Sequence, residues 1–511
     1  MQNLYRTAAV VTVFSAFEHC LGFLYRIILS RTLGSEGLGV YQIALTVFAV
    51  FLTATSSGLP ITLSRVISKH RTRGNKKGEH SATSAAILIT LLFSVPITVL
   101  LFLIKTPFSR VFSDPRCAEL FYILIIGLSF TSVYAIIRGC FWGNKRFFAY
   151  SLIELIEEII MIVIGVILII GIQTGVADVN KAAIAVLISY LCSFAIAVCY
   201  FFWKGGKLRS PKGEFLPLLK SSLPITAMRT SSSLMSSLIS VLFPLRLMAS
   251  GVTASRAMSE YGVVYGMVIP VLMIPSSLIG SIALVLVPEL AECFYRKEKE
   301  KLAALVEKAL NATLLIAGML IPFYIICGEH VGIMLYSNAD SGKYIARYAL
   351  ILLPMSITLI STSLLNSMNC EKQTLLFFLA GAAAMLACVW FLPKYLGSGA
   401  LLIGMAADFV ITAVCSLVLL TKKTGKLRSV SYFIRLLLAA IPATALGFAV
   451  RAGAMRVLSY IPALAVTMLC LLIFEAIFFS LFRLISIKSI VGRFFAKHSK
   501  KPSTPLTSDA K

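Results

Sequence analysis

Ionisable residues interrupt several apolar runs of this chain, and their chemistry is the first guide to its function. In the first run, His19 and Arg26 are seven residues apart and share one helical face, while Glu18 lies on the neighbouring face. Arg229 lies in a later run, within the polar stretch Met228-Arg-Thr-Ser-Ser-Ser233. A charge at bilayer depth is costly unless it is paired or faces water. We therefore expect these cations to line a wet cavity and to bind an anion.

A second group of charges spans the end of one apolar run and the start of the next. Arg138 begins the motif Arg138-Gly-Cys-Phe-Trp-Gly143, and the following run starts with Glu154, Glu157 and Glu158. These three carboxylates lie at i, i+3 and i+4, on one side of a helix. The pattern allows three roles: binding a coupling cation (Na⁺ or H⁺), pairing with Arg138 or Arg229, or a position in the membrane interface.

Two further acids, Asp408 and Glu475, lie in later apolar runs, and Asp408 is a candidate for the same coupling role. The sequence contains no Walker-type phosphate loop, no HExxH motif and no nucleophile elbow. Its 11 cysteines form no CxxC motif or Cys/His cluster. We therefore expect a protein that is not an enzyme and that holds no metal or organic cofactor.

Membrane helices must position these residues. The chain has 511 residues, 58% of them hydrophobic and 14% charged, whereas soluble domains average about 25% charged. Its mean hydropathy is +0.90, and runs such as 87–104, 159–172 and 182–202 are long enough to cross a bilayer. The formal net charge of +25 lies in short loops between such runs, so it indicates membrane orientation and not nucleic-acid binding.

At roughly 20 residues a crossing, we predict about fourteen spans. The loops after even-numbered spans carry most of the positive charge, and they include 69–77, 145–146, 204–212, 296–301 and 422–428. The positive-inside rule then places both termini in the cytoplasm of a multi-pass protein in the cell membrane.

An internal repeat relates the first six spans to the next six. Glu36-Gly-Leu-Gly-Val-Tyr41 is echoed by Glu260-Tyr-Gly-Val-Val-Tyr265, at an offset of 224. Gly206-Lys-Leu-Arg-Ser210 is likewise echoed by Gly425-Lys-Leu-Arg-Ser429. Since six is an even number, both copies enter the membrane in the same orientation, which predicts a parallel pseudo-two-fold repeat.

The expected fold is therefore an all-α polytopic membrane protein with two six-helix lobes and two extra C-terminal helices. The lobes are predicted at 1–210 and 211–428, the extra helices at 429–485, and a basic cytoplasmic tail at 486–511. Two such lobes around a central cavity are typical of transporters that work by rocking. The pattern thus favours transport.

Glycines and prolines mark places where the helices could bend during such movement. Gly58 and Pro60 break the second span, and Pro270 and Pro275 both lie in the eighth. Each proline removes a backbone donor and permits a kink. We predict gating hinges at these four positions, although prolines are also common in membrane helices that do not move.

Five short motifs carry a family resemblance. They are Leu21-Gly-Phe-Leu-Tyr-Arg26, Leu33-Gly-Ser-Glu-Gly-Leu-Gly-Val-Tyr41, Ser57-Gly-Leu-Pro-Ile61 followed by Ser64-Arg65, Arg138-Gly-Cys-Phe-Trp-Gly143 and Ile156-Glu157-Glu158. Together, over most of the chain, they resemble the bacterial polysaccharide-biosynthesis and stage V sporulation protein B family. That family belongs to the multidrug/oligosaccharidyl-lipid/polysaccharide (MOP) exporter superfamily.

The resemblance implies a lipid-tail groove formed by the last two helices. It also implies movement of an undecaprenyl-pyrophosphate-linked saccharide, such as the peptidoglycan precursor lipid II, from the inner to the outer leaflet. Arg26 is the residue that it best supports as a substrate ligand. Related flippases carry cavity arginines where this chain has His19 and Thr53, so another lipid-linked glycan is an alternative to lipid II.

Two other functions fit parts of the pattern. One is a cation-coupled multidrug exporter of the same superfamily, using Glu154, Glu157 or Asp408, although a positive cavity would repel cationic drugs. The other is a non-transporting membrane scaffold for cell-wall synthesis. The expected partners are the lipid-linked glycan and membrane lipid, with no nucleic acid, and we expect the protein to act as a monomer. Sporulation and vegetative roles both fit.

Overall fold

The computed structural model describes residues 2–171, 177–425 and 429–484. Within them the chain is helical, with no strand. The helices are α1 Gln2–Ser56, α2 Leu59–Thr72, α3 Lys76–Leu103, α4 Lys105–Ser109, α5 Pro115–Ile126, α6 Leu128–Gly143, α7 Phe147–Val166, α8 Asp178–Trp203, α9 Phe215–Ala249, α10 Ala254–Tyr261, α11 Ile269–Leu272, α12 Ile274–Tyr295, α13 Lys299–Tyr336, α14 Ala339–Arg347, α15 Leu352–Ser367, α16 Glu371–Phe391, α17 Pro393–Leu396, α18 Gly399–Thr424, α19 Ser429–Val457 and α20 Tyr460–Leu481. Two π-helical segments, Ile167–Gly171 and Gly262–Val268, and a 3₁₀ turn, Ala349–Ile351, complete the order.

Many of these helices are long and apolar enough to cross a membrane. Ten described helical segments meet this condition individually. The number of candidate spans rises to as many as 12 if each of two bent helix pairs is counted as one span. One pair is α5 with α6, bent by 49°, and the other joins Ala254–Leu272 to Ile274–Ala283 at 45°. The prediction of an all-α, multi-span membrane protein is therefore confirmed.

The first helix contains a sharp change of direction at Gly34. Gly34 has φ 70 and ψ −179, a backbone conformation in which a residue with a side chain would be strained. Tyr25 and Tyr41 interact electrostatically across it and share one buried cluster, although a straight helix would hold residues of this spacing about 24 Å apart. The chain thus doubles back at a single glycine.

Buried side chains form one large cluster near one end of the molecule and two separate clusters near the other. The large cluster joins the first half, through residues such as Leu38, to the second half, through Leu247 and Met258. Next to the basic loop 69–77, Ile67 belongs to a cluster whose other members come from the first half and the start of α9. Next to the basic loop 296–301, a third cluster contains only residues of the second half. The two halves therefore meet mainly at the end away from these basic loops.

The helix α9 contacts both halves. Near its start, Leu218 packs into the cluster of the first half, and the backbone N–H of Gly58 donates to Thr226 Oγ1 at 3.2 Å. Near its end, Arg246 donates from Nε to the carbonyl of Trp390 at 3.1 Å. The expected boundary between 210 and 211 assigns all of α9 to the second lobe, whereas its first turns pack on the first.

The helices α19 and α20 pack against α13. Leu314 of α13 clusters with Leu436 and Phe479, and Arg451 donates from Nη1 to the carbonyl of Ile326 at 2.6 Å. The predicted tail, 486–511, lies outside the described residues.

Candidate functional site

A charged cavity of ≈ 360 Å³ lies among α1, α2, α6, α7 and α8, with α9 contributing one residue. Its lining includes six charged residues, Glu18, Arg138, Glu154, Glu157, Glu158 and Arg229, together with polar and apolar side chains such as Thr53, Ser57, Pro60, Tyr134 and Tyr190. Two groups of charges that are far apart in the sequence are thus brought to one place.

The helix α7 carries the three predicted glutamates into this cavity. Their i, i+3, i+4 spacing places all three on the side that faces α1 and α6. The carboxylate of Glu158 lies directly against α1, because a Cβ at Gly22 would be 3.0 Å from its Oε1. The absence of a side chain at Gly22 therefore makes room for Glu158.

Arg138 is held by a partner in the same cavity. Its Nη1 donates to Glu154 Oε1 at 2.8 Å, and the two side chains are 31% and 15% exposed. Its guanidinium lies over the Trp142 ring, 5.2 Å from the centroid. Of the pairings that the sequence allowed for Glu154, the structure shows the one with Arg138. This arginine is thus neutralised within the protein.

The remaining acids have no cation within ion-pair distance among the described residues. In the described part of the chain, Glu18, Glu157 and Glu158 form no ion pair within 4.0 Å. Two buried oxygens, Glu157 Oε2 and the Tyr134 hydroxyl, have no hydrogen-bond partner there. Each such orphaned polar group costs about 1–3 kcal/mol, so this part of the cavity can take up a proton, a cation or a hydrogen-bonding ligand.

The predicted anion ligands are not all in this cavity. Arg229 lines it, is exposed, and forms no ion pair with any described residue. Arg26 is half-buried and interacts electrostatically with Glu158 and Tyr336, but neither Arg26 nor the exposed His19 is among the described residues that line the cavity. The seven-residue spacing gives them a common face of α1, but does not determine which helix covers that face.

Asp408 lies apart from the glutamates. It belongs to α18 in the second half, where its carboxylate packs against Gly381 of α16 and accepts a hydrogen bond from Thr412 at 3.5 Å. Among the described cavity linings it does not occur. The structure therefore does not join Asp408 to the acids of α7.

A second cavity, of ≈ 450 Å³, lies between α1, α9 and α16. Its described lining consists of uncharged residues, namely Gln42, Leu45, Thr46, Ala49, Ser232, Ser233, Ser236 and Phe378. Reasoning from the sequence identified the polar run 228–233 but missed the facing residues of α1. Uncharged polar residues such as Gln42 give little signal in a membrane helix, because they cost far less there than a charge does.

The predicted hinge residues lie at helix breaks or close to one. Gly58 separates α1 from α2, and Pro60 is in the first turn of α2. Pro270 and Pro275 are in the first turns of α11 and α12, on either side of Met273, where the two helical segments meet at 45°. Pro60 and Pro275 lie in the first turn after a break, where the first amide groups of a helix have no partner within it, whereas Pro270 lies inside the continuous segment Ala254–Leu272.

The two copies of the internal repeat contact each other at the end remote from the basic loops. The hydroxyls of Ser35 and Ser259 share a hydrogen bond of 2.6 Å. Gly39 abuts the carbonyl of Met258, and Gly262 abuts the carbonyl of Ser35, so closely that a Cβ at either glycine would overlap backbone atoms. The two halves are therefore in backbone contact here.

Charged residues surround this contact. Glu36 accepts a hydrogen bond from Ser255 at 2.5 Å and pairs with Arg116. Arg116 in turn pairs with Asp114 at 2.7 Å. On the other side, Arg31 donates to the carbonyls of Leu335 and Met334 at 2.9 and 2.5 Å, at the C-terminal end of α13, where a cation is favoured.

Comparison with known proteins gives the family of the chain. The family model described as "Polysaccharide biosynthesis protein" matches residues 4–294. Among curated proteins of Bacillus subtilis (strain 168), stage V sporulation protein B is 24% identical over 340 residues, 64% of this chain and 65% of that protein. Sporulation protein YkvU is 24% identical over 307 residues, 58% of this chain and 66% of that protein. The chain thus spans just under two thirds of the length of each.

A longer match extends to a third relative and to solved structures. Lipid II flippase MurJ of Bacillus subtilis (strain 168) is 20% identical over 470 residues, 83% of either chain. A solved structure of lipid II flippase MurJ in an inward closed conformation has a TM-score of 0.70 at 16% identity and covers 93% of this chain and 98% of that one. An inward-facing multidrug resistance MATE family transporter of the MOP superfamily has a TM-score of 0.68 at 16% identity, covering 80% and 94%.

At 16% identity the solved structures show the fold alone. The family model covers more than half of this chain and shows its family. The fold predicted from the motifs is that of these transporters, and the curated relatives belong to the group that the motifs resemble. The chain therefore belongs to the polysaccharide biosynthesis protein family, and its fold is that of the solved MurJ and MATE structures.

Proposed function

We propose that this protein moves an undecaprenyl-pyrophosphate-linked saccharide from the inner to the outer leaflet of the bacterial cell membrane by alternating access. One observation carries the proposal: the two halves pack together at one end and form separate clusters at the other, and Arg229, which pairs with no described residue, lies in a cavity among their helices. The relationship to lipid II flippase MurJ supports a lipid-linked substrate.

In this proposal the end at which the two halves form separate clusters is open and faces the cytoplasm. The basic loops 69–77 and 296–301 lie next to the separate clusters, and positively charged loops favour the cytoplasmic side. Both termini lie on that side if the chain crosses an even number of times. The substrate then enters from the inner leaflet and leaves after the contact around Ser35 and Ser259 opens.

Fourteen crossings fit this arrangement. The segment Val13–Thr72 counts as one candidate span, yet it reverses at Gly34 and so supplies two crossings. The helix α7 has 20 residues and carries three glutamates, so it is long enough to span although it is more charged than an ordinary membrane helix. Together with the two bent pairs, these give about fourteen crossings, six in each of two lobes and two in α19 and α20.

Arg229 is the first ligand for the pyrophosphate in this proposal. It is exposed to the cavity and has no ion-pair partner among the described residues, and charge-assisted hydrogen bonds to phosphate are among the strong ones. Arg26 lies near Glu158 at the margin of the same region. It becomes a second ligand if α1 moves as the halves rock.

The gate and its hinges complete the cycle. Opening of the outer end separates Gly39 from Met258 and Gly262 from Ser35. The helix breaks at Gly58–Pro60 and at Met273, between Pro270 and Pro275, lie in the two halves and supply places where this movement bends the chain. The helices α19 and α20, which pack on α13, form the proposed groove for the lipid tail.

The test is translocation of a lipid-linked saccharide by purified protein in liposomes. Arg229→Ala should abolish translocation, and Arg229→Lys should retain part of it, because lysine keeps the charge without the planar fork. Arg296→Ala is the matched control, since this exposed arginine pairs with Glu292 on the surface. If Arg229→Ala translocates the substrate as well as Arg296→Ala does, the assigned ligand is wrong. If the wild-type protein moves no lipid-linked saccharide, the function is wrong.

A second candidate function is cation-coupled export of a small molecule, as in MATE-type transporters. The observation that favours it is a set of acids in one cavity, Glu18, Glu157 and Glu158, that have no cationic partner in the described parts of the chain. Expression in a drug-sensitive host distinguishes the two functions. Raised resistance to lipophilic cations that Glu157→Gln abolishes would establish export, whereas unchanged sensitivity would exclude it for those compounds.

A further inference from the structure

The uncharged cavity between α1, α9 and α16 has the chemistry of a carbohydrate site. Its described lining offers one amide, at Gln42, and hydroxyls at Thr46 and along α9. Leu45, Ala49 and Phe378 add apolar surface. A sugar presents the same combination, hydroxyl groups around its edge and apolar C–H groups on its faces. The volume of ≈ 450 Å³ falls within the range of about 300–1,000 Å³ that is usual for small-ligand pockets.

Polar side chains of this lining keep hydrogen-bonding groups that a ligand can use. Thr46 donates to the carbonyl of Gln42 at 2.7 Å, and Ser232 and Ser236 donate to carbonyls one turn earlier, each at 3.2 Å. Their oxygens therefore keep lone pairs that can accept from sugar hydroxyls. Within the described part of the protein, the side chains of Gln42 and Ser233 have no hydrogen-bond partner, and Gln42 can both donate and accept.

The position of this cavity relative to Arg229 fits a substrate that has a phosphate group and a sugar joined together. Ser232, Ser233 and Ser236 follow Arg229 at i+3, i+4 and i+7, so all lie on its face of α9. One helical turn rises about 5.4 Å. A pyrophosphate bound by Arg229 therefore places the attached sugar one to two turns further along α9, towards the closed end.

We infer that this cavity, defined by Gln42, Thr46, Ser232, Ser233, Ser236 and Phe378, is the subsite for the saccharide of the transported lipid, and that it selects an uncharged sugar. The inference rests on the function proposed above. It adds the part of the substrate that is recognised and the residues that recognise it. A carboxylate on the sugar would lose its water here without gaining a cation, which is unfavourable.

Binding to two lipids tests the subsite. Undecaprenyl pyrophosphate carries the anion alone, and undecaprenyl-pyrophosphate-N-acetylglucosamine adds an uncharged sugar. The wild-type protein should bind the second more tightly. Gln42→Ala and Ser233→Ala should each weaken binding of the sugar-bearing lipid about threefold to tenfold, the effect of one hydrogen bond, and leave binding of the bare lipid unchanged. Arg229→Ala should weaken both.

Ser231→Ala is the matched control for the serine of this test. Ser231 is exposed, donates to the carbonyl of Ala227 at 2.8 Å, and is not among the described residues of the cavity, so this variant should bind both lipids as the wild type does. The subsite is overturned if Gln42→Ala and Ser233→Ala bind both lipids normally, or if they lose both equally. If the wild type binds neither lipid, the proposed function itself fails. Binding of both lipids with no preference for the sugar overturns only the subsite.

Discussion

Ser35 and Ser259 are equivalent residues of the internal repeat, 224 positions apart, and their hydroxyls are hydrogen-bonded at 2.6 Å. In a symmetric pair, a residue can touch its own equivalent only next to the rotation axis. The contact would therefore lie near the predicted pseudo-two-fold axis, and Gly39 and Gly262 lie beside this contact with their backbones touching across the two halves.

A disulfide across this contact should stop transport. With cysteines at both positions, Ser35→Cys with Ser259→Cys, in a background without the native cysteines, the Cβ atoms are close enough to be bridged. Oxidation should form the bond and abolish translocation in liposomes, and reduction should restore it. Each single variant serves as a control. Full transport by the oxidised, crosslinked protein would exclude an opening at this place.

A methyl group at the glycine contact should weaken the closed gate. In Gly39→Ala the new Cβ would overlap the carbonyl of Met258, and overpacking of this kind costs about 1–3 kcal/mol. We expect greater labelling of a cysteine placed at Ser259 by a membrane-impermeant thiol reagent from the outer side. Gly280→Ala is the matched control, because a Cβ at this helical glycine meets nothing within 4 Å. Equal labelling of both variants would contradict the expectation.

The pair Arg138–Glu154 should stabilise the protein only while both partners are present. Glu154→Gln leaves the arginine without its carboxylate, and we expect a loss of about 1–3 kcal/mol, less than for a fully buried pair, since the two side chains are 31% and 15% exposed. Arg138→Met combined with Glu154→Gln should recover part of this loss. The measurement is a double-mutant cycle of thermal unfolding in detergent. Additive losses would show that the two side chains are not coupled.

Acid should weaken the network around Asp114, which precedes the fifth helix and lies outside the membrane-spanning segments. Burial tends to raise the pKa of Asp114, but hydrogen bonds from the side chain and backbone of Arg116 outweigh it and hold the pKa below its ordinary value. A carboxyl with a lowered folded-state pKa stabilises the fold above the unfolded-state value, about 3.9, and this contribution is lost as the pH falls through the folded-state value.

Asp114→Asn should therefore reduce stability at neutral pH and flatten its decline at acidic pH. The midpoint of thermal unfolding, followed from pH 6 down to about pH 2, measures both effects. Asp340→Asn is the control, because Asp340 is an exposed surface residue whose lysine partner is 3.5 Å away. An acid dependence that is the same in Asp114→Asn and in the wild type would show that other groups control it.

The sequence predicts the membrane helices and the grouping of the α7 acids well, because hydropathy and helical spacing determine both. Position on a helix face does not identify the neighbouring helix, and for that reason the sequence predicts Arg26, Arg138 and Arg229 alike for the cavity, whereas among the described lining residues the arginines are Arg138 and Arg229. Asp408 has the charge of a site residue, but its neighbour Gly381 comes from another helix, which spacing along one helix does not reveal. The sequence does not predict Gln42 as a site residue, because a single amide side chain carries no charge and belongs to no recognisable motif.

The course of α9 has a consequence for affinity. Its start is attached to the first half at Gly58 and its end to the second half at Trp390, and Pro224 and Pro244 interrupt its hydrogen bonding. Any relative rotation of the halves must bend or twist this one helix, which carries Arg229 between its two anchors. Arg229 therefore lies on the helix that must deform when the two halves move. In the proposed cycle, the motion that exposes the substrate to the outer leaflet would also turn Arg229 away from it, and release would need no separate signal.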